Sequence, residues 1–534
     1  MSNFQNYQSQ NQDQYIFKEN NSLNQCKYND DDDIKKTDYK EIAKKQNTPE
    51  YDLEKGLSIS VKTLQKHFQF NSKQEQQIPI MVSVKTLEQT MEQSEKQNIQ
   101  NNSIENRPNI DLVCVIDNSG SMQGQKLENV KKALLFLLDF MKENDRLCLI
   151  LFNSYGQRLC RLMTTNQQNK NEFQKIINQL FSNGGTDINS GMEIAFKVLK
   201  ERKNQNPVSS IFLLSDGQDS SAEQKVQSSL QKHLPDEILT IHSFGFGSDH
   251  DPELMNKICA MKDGNFYYVE KIDQIDEFFV DALGGLFSVV AQDIKIDVNI
   301  NIEDQNFNKY LKNCRVNKTY GDMWQCQKQN QNLTIKANQL ISGVSKDYVF
   351  ELTIPHQDVQ KIEDFERNVE LIKVQIQAIP INSEYTTSVV KNANLVLTLF
   401  TEFEKIAEDS EFHDDVEFNY LRVKAAEAMD LAIQEADLQR YDQGQLILQS
   451  MIKKIEFSCP QNKQKLQKIV EDLEECKIKA KPQVYEEIGK CQMMMKKNIN
   501  YKQQSRAVEQ MDINQNKLQQ QMNYNIKIMK TAKK

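Results

Sequence analysis

The sequence predicts an α/β protein in which a doubly wound, Rossmann-like domain is inserted into an antiparallel β-sandwich and followed by a helical region. Three observations predict it. Between residues 111 and 287 short, wholly apolar runs alternate with segments of helical period; on both sides of that stretch apolar residues recur at every second position; beyond residue 400 they return to helical spacing. A wholly apolar strand is buried on both faces, as in the middle of a parallel sheet, whereas period two marks a strand with one wet face. The flanking segments therefore belong to a different sheet from the domain between them. Because they lie on either side of it in the chain, they are expected to build one sandwich together.

Taken in order, residues 1–55 are rich in Asn and Gln, with an acidic run from Asp30 to Asp33 followed by Lys35 and Lys36. They hold too little apolar surface to offset the conformational entropy of ordering, which predicts a disordered tail. Residues 56–87 supply two alternating runs, Leu57 to Val61 and Ile80 to Lys85, read as the first strands of the sandwich. A polar linker, 88–108, leads to the alternating domain, 109–288. Its first strand, Leu112 to Ile116, is followed by a helix from Lys126 to Lys142 with Leu127, Val130, Leu134, Leu137 and Leu138 on one face. Strands are expected at Leu147–Phe152, Ser210–Leu214, Ile238–Phe246 and near Phe266–Val269. Helices are expected at Lys170–Phe181, Asn189–Lys200, Ala222–His233, Asp251–Met261 and Ile272–Phe287.

The sandwich resumes over 289–402, with Ile294, Ile296, Val298 and Ile300, then Leu333 and Ile335, then Tyr348, Phe350, Leu352 and Ile354, and later Val374, Ile376 and the run Leu395 to Phe400. In the helical region, 403–500, Phe418, Leu421, Ala425, Ala428 and Ala432 mark one helix ending near Tyr441 to Gly444. Leu448, Met451, Ile452 and Ile455 mark a returning one, with further helices at about 461–480 and 483–497. The run Met493 to Met495 is read as core or lightly exposed packing rather than a partner surface. Residues 501–534 are read as a Gln-rich tail.

Composition narrows the function classes. A net charge of −9, from 66 basic and 75 acidic residues, gives no global field for nucleic acid or an anionic membrane. No apolar run is long enough to span a bilayer, and the first residues have neither the basic start nor the apolar core of a signal peptide, so a cytoplasmic protein is expected. The ten cysteines form no C-x-x-C pair and only six histidines accompany them, which leaves no zinc framework. Cys114 and Cys148 lie inside apolar runs and read as core.

The chemistry sits where the apolar strands stop. The stretch Asp111 to Met122, DLVCVIDNSGSM, ends its strand at Asp117 and then alternates Asn118 and Gly120 with the hydroxyls of Ser119 and Ser121. Small oxygen-bearing side chains on a tight turn suit a hard cation, and few carboxylates among hydroxyls suit magnesium, which keeps part of its water shell. Asn183 to Asp187 adds a hydroxyl at Thr186, and the apolar run Ile211 to Leu214 ends in Ser215-Asp216-Gly217. In an open parallel sheet, loops at the carboxyl ends of neighbouring strands converge where the strand order reverses, so one crevice can hold all five. The stretch Gly245 to Pro252 places His250 between two acids, but Asp251 before Pro252 reads better as a helix cap with proline in the first turn.

The set Asp117, Ser119, Ser121, Thr186 and Asp216 resembles the metal-ion-dependent adhesion site of von Willebrand factor A domains. That resemblance implies that Ser119 and Ser121 bind a divalent cation (Mg, or Mn or Ca) directly, and that Thr186, Asp117 and Asp216 bind it directly or through water. It also implies an open coordination position that an Asp or Glu of a protein partner fills. Over residues 57–455 the order of sandwich strand, A domain and sandwich, with LLSDGQD, HSFGFGSDHD and ISGVSKDYVFELTIP, is similar to intracellular proteins with an A domain and a following β-domain, such as plant RING-type ubiquitin ligases. A Cys- and His-rich RING before the A domain is absent from this chain, so ligase activity does not follow from the likeness. In some A domains the last helix, here Ile272 to Phe287, shifts with metal coordination; Gly284-Gly285 equally suits plain packing or capping.

Three other readings compete with a metal-dependent interaction module: a scaffold in which the metal only pins loops, an adaptor for a ubiquitin ligase, and a haloacid-dehalogenase-like phosphatase with Asp117 as nucleophile. The last needs a second acid two residues on to protonate the leaving group. That position is Ser119, so no enzymatic activity is expected.

Overall fold

The computed structural model describes residues 51–88, 107–247, 250–269, 272–300, 310–311, 314–327, 332–381, 387–406, 412–458, 460–504 and 514–532. Most of the expected disordered tail and of the 88–108 linker lies outside the described residues. The chain divides into two compact units, one over Pro108–Ala282 and one built from residues on either side of it.

The flanking unit begins with a helical turn, Leu53–Gly56, capped by Asp52, and continues through β1 (Leu57–Thr63), β2 (His67–Gln69) and β3 (Gln76–Thr86). The inner unit follows with β4 (Ile110–Asp117), α1 (Gln125–Phe140), β5 (Arg146–Phe152), β6 (Gly156–Arg158), β7 (Met163–Thr164), α2 (Gln167–Asn178) and α3 (Ile188–Glu201). It goes on through β8 (Val208–Ser215), α4 (Ala222–His233), β9 (Thr240–Phe246), α5 (Pro252–Ala260), β10 (Phe266–Val269) and α6 (Ile272–Phe287). Every residue of β4, β5, β8 and β9 is buried, as expected of strands in the middle of a parallel sheet. The sheet order is β10-β9-β8-β4-β5-β6, with β7 beside β5. Strands β10, β9, β8, β4 and β5 run parallel, and β6 and β7 run antiparallel at the edge. From β4 the chain steps one way to β5 and later returns to the other side as β8, so the strand order reverses between β4 and β8. Asp251 caps α5 as expected, accepting hydrogen bonds from the amides of Glu253 and Leu254 at 3.0 Å each, with Pro252 in the first turn.

The flanking unit resumes with β11 (Val289–Ile300), β12 (Arg315–Thr319), β13 (Trp324–Gln327), β14 (Asn332–Ile341), β15 (Ser345–Ile354), β16 (Asn368–Pro380) and β17 (Val389–Phe400). Its two sheets are β1-β3-β15-β12 and β13-β14-β11-β16-β17-β2. Each sheet joins strands from before and after the inner unit; β3 and β15, for example, pair antiparallel from Lys85 opposite Ser345 to Gln76 opposite Ile354. The α/β domain is therefore an insertion into a sandwich. Ile80, Val82 and Val84 share one core with Ile296, Val298, Phe350, Leu352 and Ile376. Period two in the sequence puts alternate residues on that inner face.

Helices α7 (Asp414–Asp437), α8 (Tyr441–Glu456), α9 (Lys463–Lys479), α10 (Lys490–Lys502) and α11 (Lys517–Ala532) complete the chain. Two expectations need correcting. Tyr441 to Gly444 is not the turn of the helical hairpin but the first turn of α8; the reversal falls just before it, where Gln439 takes a φ of +61°. Gly444 serves close packing instead, since a Cβ there would lie 3.0 Å from the Ala432 carbonyl of α7. The stretch read as a Gln-rich tail contains α11, in which Leu518, Met522 and Ile526, each four residues apart, are buried. Met493 and Met494 are buried in the helical core and Met495 is half-buried, in keeping with core or lightly exposed packing. Among the described residues no helix is long and apolar enough to cross a membrane.

Candidate metal centre

Strand β4 delivers Asp117 as its last residue, fully buried. The parallel register sets Ile116 opposite Leu214 on β8, so Ser215 arrives beside Asp117 and donates its hydroxyl to Asp117 Oδ2 at 2.5 Å. The other carboxylate oxygen accepts the Ser119 amide at 2.8 Å, which folds the chain back over the strand end. Gly120–Met122 then make one 3₁₀ turn, and Gly124, with a φ of +79°, admits the chain to α1. Within this turn Ser119 Oγ lies 3.0 Å from Ser121 Oγ. Ser119 is buried and Ser121 exposed, so the hydroxyl pair leads from the strand end out to solvent.

The loop bearing Thr186, between α2 and α3, is tied to this turn by the chain itself. The Asn183 amide donates to the Asn118 carbonyl at 2.7 Å, and the Gly120 amide to the Gly184 carbonyl at 3.0 Å. On its other side the Gly185 amide donates to Ser154 Oγ at 3.0 Å and the Asp187 amide to the Asn153 carbonyl at 2.6 Å. The Ile188 amide reaches Asp219 Oδ2 at 3.1 Å and so joins the same loop to the one after β8. Thr186 itself is half-buried.

That last loop begins with Asp216, wholly buried. Its Oδ2 receives Lys126 Nζ, from the first turn of α1, at 3.2 Å. Its Oδ1 is buried with no hydrogen-bond partner. Gly217, at a φ of +67°, turns the chain away and returns its amide to Ser215 Oγ at 2.9 Å. Burial pushes the Asp117 carboxyl up to about 6, although hydrogen bonds from Ser119 and Ser215 pull the other way; the negative charge of Asp216 adds to the rise.

Asp117, Ser119, Ser121 and Asp216 thus stand at the strand-order reversal, and Thr186 stands on a loop hydrogen-bonded to their turn. Among the described residues no group of three or more His, Cys, Asp and Glu is placed to hold a metal ion. An orphaned carboxylate oxygen beside paired hydroxyls fits a hard divalent ion, whose ligands are oxygens. Sequence reasoning missed Ser215, Asn153, Ser154 and Asp219, which hold the loops, and Lys126. Ser215 had a signal, since parallel strands ending together put its hydroxyl next to Asp117. Lys126 had none, since nothing in the sequence ties it to Asp216, 90 residues away.

An α/β domain with this reversal and this polar rim defines a class, and comparison gives its family. Residues 111–281 match the family model described as von Willebrand factor type A domain, and that stretch of the chain is such a domain. An uncharacterised protein of Synechocystis is 35% identical over 163 residues, 30% of this chain and 38% of that protein. The E3 ubiquitin-protein ligase WAV3 of Arabidopsis thaliana is 28% identical over 204 residues, 36% of this chain and 25% of that one. Inter-alpha-trypsin inhibitor heavy chain H1 of Mesocricetus auratus is 29% identical over 198 residues, 35% and 21% respectively. The matches thus span well under half of each relative's length. Among solved structures, the von Willebrand factor type A protein from Catenulispora acidiphila aligns with a TM-score of 0.58 at 13% identity, over 84% of this chain and 96% of that one. At that identity the likeness is one of fold, and it extends well beyond the A domain. Domains of this family typically mediate protein–protein interactions.

Proposed function

We propose that the A domain binds a divalent cation, magnesium in the first instance, through Asp117, Ser119, Ser121, Thr186 and Asp216, and uses it to capture an acidic residue of a protein partner in the cytosol. The observation that carries this reading is Asp216 Oδ1, a buried carboxylate oxygen with no partner from the protein, at the reversal that also holds the Ser119 and Ser121 hydroxyls. A buried unsatisfied acceptor is costly and is retained where something outside the chain completes it. A bound divalent ion supplies a coordination position that a carboxylate from outside can fill.

The residues divide the task. Ser215 and the Ser119 amide orient the Asp117 carboxylate by taking one oxygen each. The exposed Ser121 marks the open side of the rim, where an incoming Asp or Glu has access. Capture is favoured over a merely structural metal because the three loops are already cross-tied by the hydrogen bonds of Asn183, Gly120 and Ile188. No ion is needed to join them. A phosphatase is disfavoured because the position two residues beyond Asp117 is Ser119, whose hydroxyl cannot serve as general acid near neutral pH. The A domain shared with ubiquitin ligases makes recruitment of a ligase a question about the partner.

The test is direct titration of Mg²⁺ by calorimetry, wild type beside Asp117→Ala, followed by Mg²⁺-dependent pull-down with EDTA as control. Binding by the wild type alone, with partners lost both in the variant and in EDTA, is the expected result. An unchanged partner list would move the function to the sandwich or the helices.

A further inference from the structure

Lys126 occupies the first turn of α1, a place from which a lysine ordinarily extends into water. Here its side chain is only 22% exposed and its ammonium meets Asp216, which is wholly buried, at 3.2 Å. Bringing an ammonium inward needs compensation, and Asp216 provides it. In return Lys126 cancels one of two buried negative charges at the strand-order reversal, where Asp117 is held by hydrogen bonds from neutral groups alone. In effect, the described state has a monovalent cation on Oδ2 of Asp216, and that cation belongs to the chain, while Oδ1 has no hydrogen-bond partner.

We propose that Lys126 is a built-in competitor of the divalent cation: its ammonium neutralises Asp216 until a cation takes its place, and it thereby sets the cation concentration at which the adhesion site loads. This rests on the cation-binding reading above and adds a specificity-determining residue to it. The argument is one of charge and freedom to move. An ammonium and a doubly charged ion drawn to the same carboxylate repel each other in a medium less polar than water, so one gives way. Asp216 cannot withdraw, since it is enclosed and its chain is fixed by the left-handed turn at Gly217 and the amide bond back to Ser215. Lys126 can, having a flexible four-carbon stem and a route to solvent. Loading is then an exchange of cations on Asp216 rather than a simple addition.

The experiment is Mg²⁺ titration by calorimetry on the full chain for wild type, Lys126→Gln and Lys126→Arg, with circular dichroism to verify folding. Removing the competing charge should tighten Mg²⁺ binding about tenfold in Lys126→Gln, the scale on which one neighbouring charge changes ion occupancy. Lys126→Arg, which keeps the charge, should stay close to wild type. A second readout needs no variant. Acetylation of Lys126 by an amine-reactive ester, followed by mass spectrometry, should rise when Mg²⁺ is added to the wild type, because exchange releases the amine. Unchanged or weaker Mg²⁺ binding in Lys126→Gln, or Lys126 acetylation indifferent to Mg²⁺, overturns the competitor while leaving the cation site standing. Absence of Mg²⁺ binding in both wild type and Lys126→Gln overturns the cation site as well.

Discussion

Strand β4 has a buried aspartate at each end, and the two ends are treated in opposite ways. At its start, Asp111 accepts Arg146 Nε at 2.8 Å and Nη2 at 2.7 Å, Arg202 Nη1 at 2.9 Å, and the amide and side chain of Asn206 at 3.1 and 2.9 Å. Arg146 is itself wholly buried, and Arg202 goes on to pair with Glu237. At the finish, Asp117 has only hydroxyl and amide donors, and neighbouring Asp216 has one lysine and one oxygen with nothing. Both ends lie in the same sheet and both bury carboxylates. The difference teaches where this domain places its charges: at the amino-terminal end two arginines and Asn206 surround the carboxylate of Asp111, although Arg202 Nε and Asn206 Oδ1 lack partners of their own, whereas at the carboxyl end one oxygen of a carboxylate itself, Asp216 Oδ1, has none.

The comparison predicts unequal mutational costs. Arg146→Met removes one partner of a buried pair and should destabilise the domain by about 3–5 kcal/mol, because Asp111 keeps a charge it can no longer share fully. Asp216→Asn in cation-free protein removes a charge whose cationic neighbour, Lys126, can turn its ammonium to solvent, and should change stability by less than about 1 kcal/mol. Chemical denaturation of both variants, with EDTA present, checks this. If Asp216→Asn falls as far as Arg146→Met, the two ends are equivalent and the contrast collapses.

The two ends also differ in pH response. Asp117 has a folded value of about 6, raised chiefly by burial, against about 3.9 for an unfolded aspartate. Between these values the folded state holds a proton that the unfolded state has lost. Its contribution to stability is therefore fully present below the unfolded value and is lost as pH rises through the folded one, about 3 kcal/mol in all for a displacement of this size. Asp117→Asn should remove this component, flattening the loss of stability between about pH 4 and 6 relative to wild type in EDTA. A wild-type slope identical to that of the variant would show that Asp117 is not held protonated.

How much of this was legible follows from the range of the contacts. The alternation of buried strand and helix is local, and it marked the inner domain nearly element by element. The five rim residues stood out because each follows directly on a strand or a loop of recognisable type; their role as cation ligands is a proposal. The Asp111 cluster was not, although Asp111 opens the very stretch that drew attention: its partners lie 35, 91 and 95 residues away and nothing near them in sequence points back. Helix α11 was missed for a different reason. Leu518, Met522 and Ile526 have helical spacing and are buried, but in the sequence the surrounding Gln and Asn outweighed three apolar residues. Tyr441 to Gly444 was read as the end of a helix because the apolar spacing stops there, whereas Gly444 lies inside the next helix, where it permits the close approach of Ala432.

Cation binding should turn the weak end into a source of stability. At a Mg²⁺ concentration one hundred times its dissociation constant, the wild type should gain about 2.7 kcal/mol, and Asp117→Ala and Asp216→Ala should gain nothing. Thermal denaturation with and without Mg²⁺ measures the gain. Protonation competes for Asp117, so the Mg²⁺ effect should shrink as pH falls below about 6. A gain that survives in Asp117→Ala would place the cation elsewhere in the chain.

The smallest expected effect is also the most local. Ser215 donates to Asp117 and accepts from Gly217, so it links the two acids of the rim through a single hydroxyl. Ser215→Ala should cost about 1–3 kcal/mol at pH 8, where the lost bond is one to a charged acceptor, and less at pH 4, where Asp117 is protonated. In an Asp117→Asn background the charge is gone, so the same substitution should cost about 1 kcal/mol at either pH. A double-mutant cycle by denaturant titration separates these cases. Coupling that appears at pH 8 and fades at pH 4 identifies the hydroxyl as support for the Asp117 charge. Coupling independent of pH would make Ser215 a packing residue, and would leave Asp117 oriented by the Ser119 amide alone.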